Sequence, residues 1–470
     1  MLNVEKAWQA LARLAKSDEP VVTAPSTMAA ASLRFDVHTQ AIGADAWAAL
    51  YALAERADVA GAMSKLLNCE WQNPSEGHAV IHTALRDSDS APSHLRSDMS
   101  KTYATLETMA NAVSAGSWQG SSIRHVLNIG MGGSYWGPKL LTEALANQHQ
   151  TTVSFDSIAS CDPIEIEQRL QTLAPEQTLV VITSKSFTTA ETLLTAEIVK
   201  TWLGNLDLSQ HMFAVTSNTT KAQAFGIPQE NILPIWDGVG GRYSIWSPVA
   251  LSALCALGYA PFTEFLAGAK AIDSHVASVT ENENVPLKLA LIDIWQQQFL
   301  GAQSHAILPY HYALRSLPSY CQQLHMESLG KQPHAGAVVW GGLGLVGQHS
   351  YFQCLHQGDK RIPLDIIQVE EVTSDYPQAQ AMVKASLEGQ CQALLEGNGN
   401  EFASSDERFM PGLKPFSLIR LPQLTAFTLG ALLAMYEHKV FYEAVMLGIN
   451  PFNQPGVELG KALTRTRMLT

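Results

Sequence analysis

Ser184-Lys185-Ser186-Phe187-Thr188-Thr189 follows the apolar run Leu179-Val180-Val181-Ile182 and precedes a helical-looking segment from Ala190 to Trp202. An unbroken run of β-branched and leucine residues predicts a strand buried on both faces of a parallel sheet. The loop carries five hydrogen-bonding side chains around one Phe, and Thr188 with Glu191 three places on fits a capping box. A strand that empties into a Ser/Thr loop and a helix N-terminus predicts an anion site. Free backbone N–H groups and the helix dipole face the ligand there, and hydroxyls donate to its oxygens. A phosphate monoester is the expected anion; the alternative for this segment alone is an ordinary capped helix start.

Similar units flank it. Val126-Leu127-Asn128-Ile129 predicts a strand, Gly130-Met131-Gly132-Gly133-Ser134 a Gly-rich turn, and Gly137-Pro138 the start of a helix with Pro in its first turn. The dinucleotide fingerprint needs Gly where this chain has Tyr135, which disfavours a nucleotide. Met212-Phe213-Ala214-Val215-Thr216 is a further strand ending in Thr. Repeated strand–loop–helix units predict an α/β fold of doubly wound parallel sheets, with ligands at the carboxyl ends of the strands. In Trp236-Asp237-Gly238-Val239-Gly240-Gly241-Arg242-Tyr243-Ser244, two glycines let a guanidinium reach into a site, or else make a surface turn with a solvated Arg. A second unit spans about 285–390. Its strands are Ala306–Tyr310, Ala337–Trp340 and Ile362–Ile367, and its loops include Met326-Glu327-Ser328-Leu329-Gly330-Lys331 and the glycines after Trp340.

Composition sets bounds. At 470 residues, 46% apolar and 16% charged, the chain is globular and core-rich. A net charge of -13 argues against a nucleic-acid partner. Six scattered cysteines without a C-x-x-C pair predict buried thiols in a reducing compartment, with no metal site and no disulfide framework. Glu5, Lys6, Arg13 and Lys16 exclude a signal-peptide apolar region, and Leu421–Tyr436 reads as a buried core helix and not a membrane span. The expected location is cytoplasmic. Residues 1–100 are Ala-rich with helical spacing and are expected to carry little chemistry; Asp87–Ser93 is a polar connector.

Taken together the loops resemble those of the phosphoglucose isomerase family. The motifs run in order from Gly130-Met131-Gly132-Gly133-Ser134 through Ser184–Thr192, Val239–Ser244, Met326–Lys331 and Gly347–Ser350 to Tyr436–Phe441 and Phe452–Lys461. The resemblance implies two sugar-isomerase α/β domains with helical arms, here drawn at 1–100, 101–280, 281–395 and 396–470. It implies a homodimer, a sugar-phosphate substrate, no cofactor, and the aldose–ketose interconversion of glucose 6-phosphate and fructose 6-phosphate. Ser134, Ser184, Lys185, Ser186 and Thr189 match the phosphate cradle, and Gly133 and Gly241 match backbone contacts to the sugar. Arg242 matches the Arg that steadies an enediol-like intermediate, Gln454 a substrate-binding Gln, and Lys461 a residue that assists ring opening.

The family's base is a Glu two residues after the Trp of W-G-E-P-G-T-N-G-Q-H, where this chain has Gly342. Leu343, Leu345 and Val346 stand in place of Pro, Thr and Asn. The family's ring-opening His also has no counterpart, because no His lies between Gln368 and Gln390. Glycine accepts no proton, so Glu327 and His349 become candidate bases, against structural readings in which Glu327 is part of a shared motif and His349 a buried, satisfied imidazole. A non-catalytic sugar-phosphate-binding regulator and an isomerase for another phosphosugar are the alternative functions.

Overall fold

A hairpin occupies part of the region expected to be helical: β1 (Ser26–Ala30) and β2 (Leu33–His38) pair antiparallel. Leu33, Phe35 and Val37 are buried while the residues between them are not, the period-two pattern of a strand with one covered face. This computed structural model describes residues 2–16, 26–87, 91–148 and 152–468, so residues 88–90 of the expected polar connector lie outside the described residues.

The first sheet joins β3 (His125–Gly130), β4 (Ser154–Ile158), β5 (Thr178–Thr183), β6 (Met212–Thr216) and β7 (Ile232–Pro234) in the order β7-β6-β5-β3-β4, all parallel. All six residues of β5 are buried, as a central strand covered on both faces requires. In register, Gly130 of β3 lies opposite Thr183 of β5, so the Gly-rich loop and the Ser/Thr loop leave the sheet side by side.

The second sheet contains β8 (Ser304–Pro309), β9 (Val338–Gly341), β10 (Leu364–Glu371) and β11 (Phe416–Gln423), in the order β1-β2-β11-β10-β8-β9. Four of these strands run parallel and the N-terminal hairpin continues the sheet antiparallel. The apolar stretch from Leu421 therefore divides: β11 ends at Gln423, and the buried helix begins at Ala426.

Five helices carry the argument: α1 (Gly133–Leu145), α2 (Ala190–Leu203), α3 (Leu317–Leu329), α4 (Ala426–Leu447) and α5 (Glu458–Met468). α1 starts earlier than expected, and Pro138 lies inside it. Proline lacks the N–H that would bond the Ser134 carbonyl one turn back, and Asn128 Nδ2 donates to that carbonyl instead at 3.0 Å. Buried Asn128 also accepts from Thr183 and Ser252, tying α1 to the end of β5.

α4 is buried along nearly its whole length and carries a closed ionic cluster. Lys439 Nζ lies 2.7 Å from Asp293 and 3.9 Å from Asp365, and His305 pairs with Asp365 at 3.1 Å. No helix among the described residues is long and apolar enough to cross a membrane. The cysteines are free; Cys69, Cys255 and Cys321 are buried as expected, whereas Cys354 is exposed.

Candidate active site

The loop after β5 is shaped by Phe187. This residue takes a left-handed conformation (φ 49°) and buries its ring against Phe225, 5.9 Å between centroids. Burying the ring anchors the loop and turns its polar neighbours outward. Ser184 is buried, yet its hydroxyl has no hydrogen-bond partner among the described residues. Ser186 and Thr188 share a 2.6 Å hydrogen bond at the surface. The expected capping box is absent: Thr189, not Thr188, is the N-cap of α2, and its side chain makes no capping bond. The amides of that first turn lack intrahelical acceptors, so Thr189 and the helix end retain donors for a ligand.

Lys185 joins this loop to the next. Its carbonyl accepts from Thr216 and Ser217 at the end of β6, and its amine donates to the Asp237 carbonyl at 2.7 Å. Asp237 begins the segment that ends at Gly241 and Arg242. Gly133 meets the same segment from α1: a Cβ on Gly133 would lie 1.8 Å from the Gly241 carbonyl oxygen, so only glycine permits this backbone contact. Ser134, Ser184, Lys185, Gly133, Gly241 and Arg242 thus come from linked segments that follow the carboxyl ends of strands in the first sheet.

Arg242 is buried, not the solvated Arg of a surface turn. Nε donates to Ser328 at 2.8 Å. Nη1 donates to Glu327 and Gln454, each at 3.1 Å. Nη2 donates to the carbonyls of Pro451 and of Asn453, the latter at 3.0 Å. These bonds occupy all five guanidinium donors. The two acceptors on Nη1 are partly exposed side chains, whereas those on Nη2 are fixed backbone. An incoming oxygen therefore displaces Gln454 or Glu327 at the lowest cost.

Two expected residues stand apart. His349 is exposed on the turn after Gly344–Gly347, and not a satisfied buried imidazole; it makes no side-chain hydrogen bond to Arg242 or Glu327 among the described residues. Lys461 lies on α5, in which no residue is buried, and pairs with Glu458 at 2.8 Å. Within one chain it does not join Arg242.

Gly342 follows β9 in a glycine-rich loop. Added Cβ atoms at Gly341, Gly344 and Gly347 would collide with Ile307, Tyr310 and Tyr351 at 2.0, 2.0 and 2.3 Å. At Gly342 the nearest atom is the Tyr351 hydroxyl at 3.9 Å, ordinary contact. Packing does not demand glycine there, since a Cβ would meet nothing closer than ordinary contact. That buried Tyr351 hydroxyl has no hydrogen-bond partner among the described residues.

Sequence reasoning assigned no role to Ser328, Lys331, Asn453, Asn73 or Ser75. Lys331 Nζ donates to the Asn450 carbonyl and to Asn453 Oδ1, the latter at 2.8 Å. Burial, then the nearby Arg242 charge, pulls its amine down to about 7 against the opposing pull of Glu327. Asn450 donates to Asn73 at 2.9 Å and Asn453 to Ser75, so the N-terminal region does reach the site. Ser328 and Lys331 sat in a quoted motif; Asn73 and Ser75 carried no local signal.

A family model described as phosphoglucose isomerase matches residues 36–468. Glucose-6-phosphate isomerase of Dechloromonas aromatica is 38% identical over 97% of this chain and 93% of its own length. That of Burkholderia orbicola is 40% identical over 88% of this chain and 82% of its own. The crystal structure of a glucose-6-phosphate isomerase from Chlamydia trachomatis superposes with a TM-score of 0.86 at 27% identity, covering 98% of this chain and 95% of that one. Matched from the N-terminal hairpin to the last helix, this chain belongs to the phosphoglucose isomerase family.

Proposed function

We propose that this chain interconverts glucose 6-phosphate and fructose 6-phosphate through an enediol intermediate. The observation that carries the reading is the direct tie between an anion seat and an oriented cation. Lys185 of the Ser/Thr loop bonds the segment that bears buried Arg242. The unpartnered Ser184 hydroxyl, Thr189 and the first turn of α2 would hold the phosphate, with Ser134, Lys185 and Ser186 around it and Gly133 and Gly241 backbone beside the sugar. As the carbonyl moves between C1 and C2, a base takes a proton from one carbon and returns it to the other. The oxygen that gains negative charge replaces Gln454 or Glu327 on Arg242 Nη1. A preorganised donor of this kind contributes about 2.7–4 kcal/mol to the transition state.

Glu327 is the base best supported. Its carboxylate already sits where the substrate oxygen would bind Arg242, so displacement leaves it beside the reacting carbons. His349, exposed and unconnected to Arg242, is the weaker candidate. Lys461 would act from a second copy in a homodimer. Support comes from α5 itself: an eleven-residue helix with Leu459 and Leu463 exposed buries nothing within its own chain. So short a helix is marginal alone in water and gains from a partner. No step needs a cofactor. The expected setting is cytoplasmic, among soluble phosphosugars.

A second reading is favoured by Gly342: a sugar-phosphate-binding regulator that keeps the cradle and has lost proton transfer. An assay coupled to glucose 6-phosphate oxidation, started with fructose 6-phosphate, separates them. Isomerase activity that disappears in Arg242→Ala and falls sharply in Glu327→Gln supports the first. Tight fructose 6-phosphate binding without turnover or solvent exchange of the transferred proton would replace it with the second.

A further inference from the structure

We infer that Lys331 is a positioning residue for Arg242, bracing the Asn450–Gln454 turn against the end of α3. The inference rests on the isomerase reading only for its effect on turnover. Two segments supply every acceptor of the Arg242 guanidinium. One is α3, through Glu327 and Ser328; the other is the turn, through Pro451, Asn453 and Gln454. The segments are remote in sequence. Lys331 lies just past the end of α3 and reaches across to the turn at two points, the Asn450 carbonyl and Asn453 Oδ1.

Among the described residues the turn is also held by the Tyr243 hydroxyl, which shares a 2.9 Å hydrogen bond with Ser328 and reaches the Pro451 carbonyl at 3.4 Å, and by the N-terminal region. Asn73 and Ser75 hold the side-chain amides of Asn450 and Asn453 from the N-terminal region. That fastening fixes the turn to a different part of the molecule and does not set its distance from Glu327. Tyr243 meets the turn through a single 3.4 Å contact, whereas Lys331 ties it to the α3 end at two points, so Lys331 dominates the spacing between acceptors on Nη1 and Nη2. Asn453 shows the coupling most directly: its side chain receives Lys331 while its carbonyl receives Arg242. Without the brace the carbonyls drift, and the guanidinium follows them away from the sugar. The phosphate seat, built on α2 and β5, is untouched.

The test compares wild type, Lys331→Met and Lys331→Arg in the full chain. With fructose 6-phosphate, Lys331→Met lowers kcat about tenfold to a hundredfold while KM changes by less than about threefold. Lys331→Arg, which keeps N–H donors able to bridge both acceptors, recovers most of the loss. A KM rise at unchanged kcat, or a loss that only follows the folded fraction, overturns the inference. A second measurement is independent of turnover: exchange of the Arg242 Nε proton with solvent, followed by NMR without substrate. It should quicken about tenfold in folded Lys331→Met. An unaltered exchange rate overturns the brace even if kcat falls. A wild-type protein without turnover sinks the isomerase reading and leaves the exchange result to decide this one.

Discussion

Two buried cations serve opposite ends. Lys439, on α4, faces Asp293 at 2.7 Å and Asp365 at 3.9 Å, with His305 beside them and Glu443 one turn on. Burial alone would lower its pKa, but the two aspartates outweigh it and push the amine up. Burial, and then Asp293, push the Glu443 carboxyl well above the usual carboxylate range. The charges there close on one another. Arg242 is equally buried, yet four of its five acceptors are neutral and its one carboxylate, Glu327, is a third exposed. Its charge is held in place without being cancelled. An under-neutralised, rigidly held cation has something left for a substrate anion, and a fully neutralised one has only the fold to support. The Asp293, His325 and Glu443 atoms lie within 4.8 Å of one another, but Lys439 already supplies the cation that cluster needs.

The comparison breaks most readily at the cations themselves. Arg242→Ala should cut kcat about a hundredfold to a thousandfold, as loss of a preorganised donor does. Lys439→Met should act through stability, costing about 3–5 kcal/mol because Asp293 and Asp365 lose their partner. The urea midpoint should fall sharply while kcat per folded molecule holds. If Lys439→Met reduced kcat in fully folded protein, the division between the two clusters would be wrong.

Gly342 sharpens the contrast from the site's side. A Cβ meets only ordinary contact there, and Gly342→Glu placed in the Glu327→Gln variant should raise kcat about a hundredfold, the usual scale of a positioned general base. Gly342→Ala should leave both stability and rate nearly unchanged, which separates the carboxylate from mere filling of space. A rate gain in the Ala variant would remove the proton-transfer explanation.

Next in size is the cradle. Ser184→Ala with Thr189→Ala removes two hydroxyl donors to a charged phosphate, each worth about 1.5–3 kcal/mol. KM for fructose 6-phosphate should therefore rise at least tenfold. An unchanged KM would place the phosphate elsewhere.

What the chain disclosed in advance follows from how local each signal is. The strand at Leu179–Ile182 and the loop after it were legible because a buried parallel strand is an unbroken apolar run and an anion loop a cluster of hydroxyls. The hairpin at 26–38 also had its signal, the alternation of Leu33, Phe35 and Val37, but an Ala-rich neighbourhood with helical spacing masked it. β11 was hidden because its apolar residues continue almost directly into α4. Arg242 could be singled out by its glycines, whereas its acceptors come from residues 85 to 212 positions away, and nothing near it in sequence announces them. Gly342 was visible only against a family pattern; the room around it required coordinates.

The finest test of the comparison is pH, because the two regions titrate with opposite sign. His305 is pushed up to about 9: burial would lower it, but Asp365 and Asp293 hold the imidazolium. A raised pKa gives stability that is complete below the unfolded value near 6.5 and is lost as pH rises through about 9. Lys331 is pulled down to about 7, chiefly by burial and then by Arg242. A depressed lysine gives the reverse. The unfolded chain binds the extra proton, so this contribution is complete above the unfolded value near 10.5 and is lost as pH falls through about 7. Between about pH 7 and 9 the two slopes oppose each other. Lys331→Met should make the decline of the urea midpoint with rising pH steeper, and His305→Gln should flatten or reverse it. Lys331 is half-exposed and water screens it, so its slope is the smaller of the two. Were Lys331→Met to flatten the decline instead, the amine would be held as a cation in the folded protein. The site would then share the charge balance of the Lys439 cluster and leave Arg242 no surplus to offer a substrate.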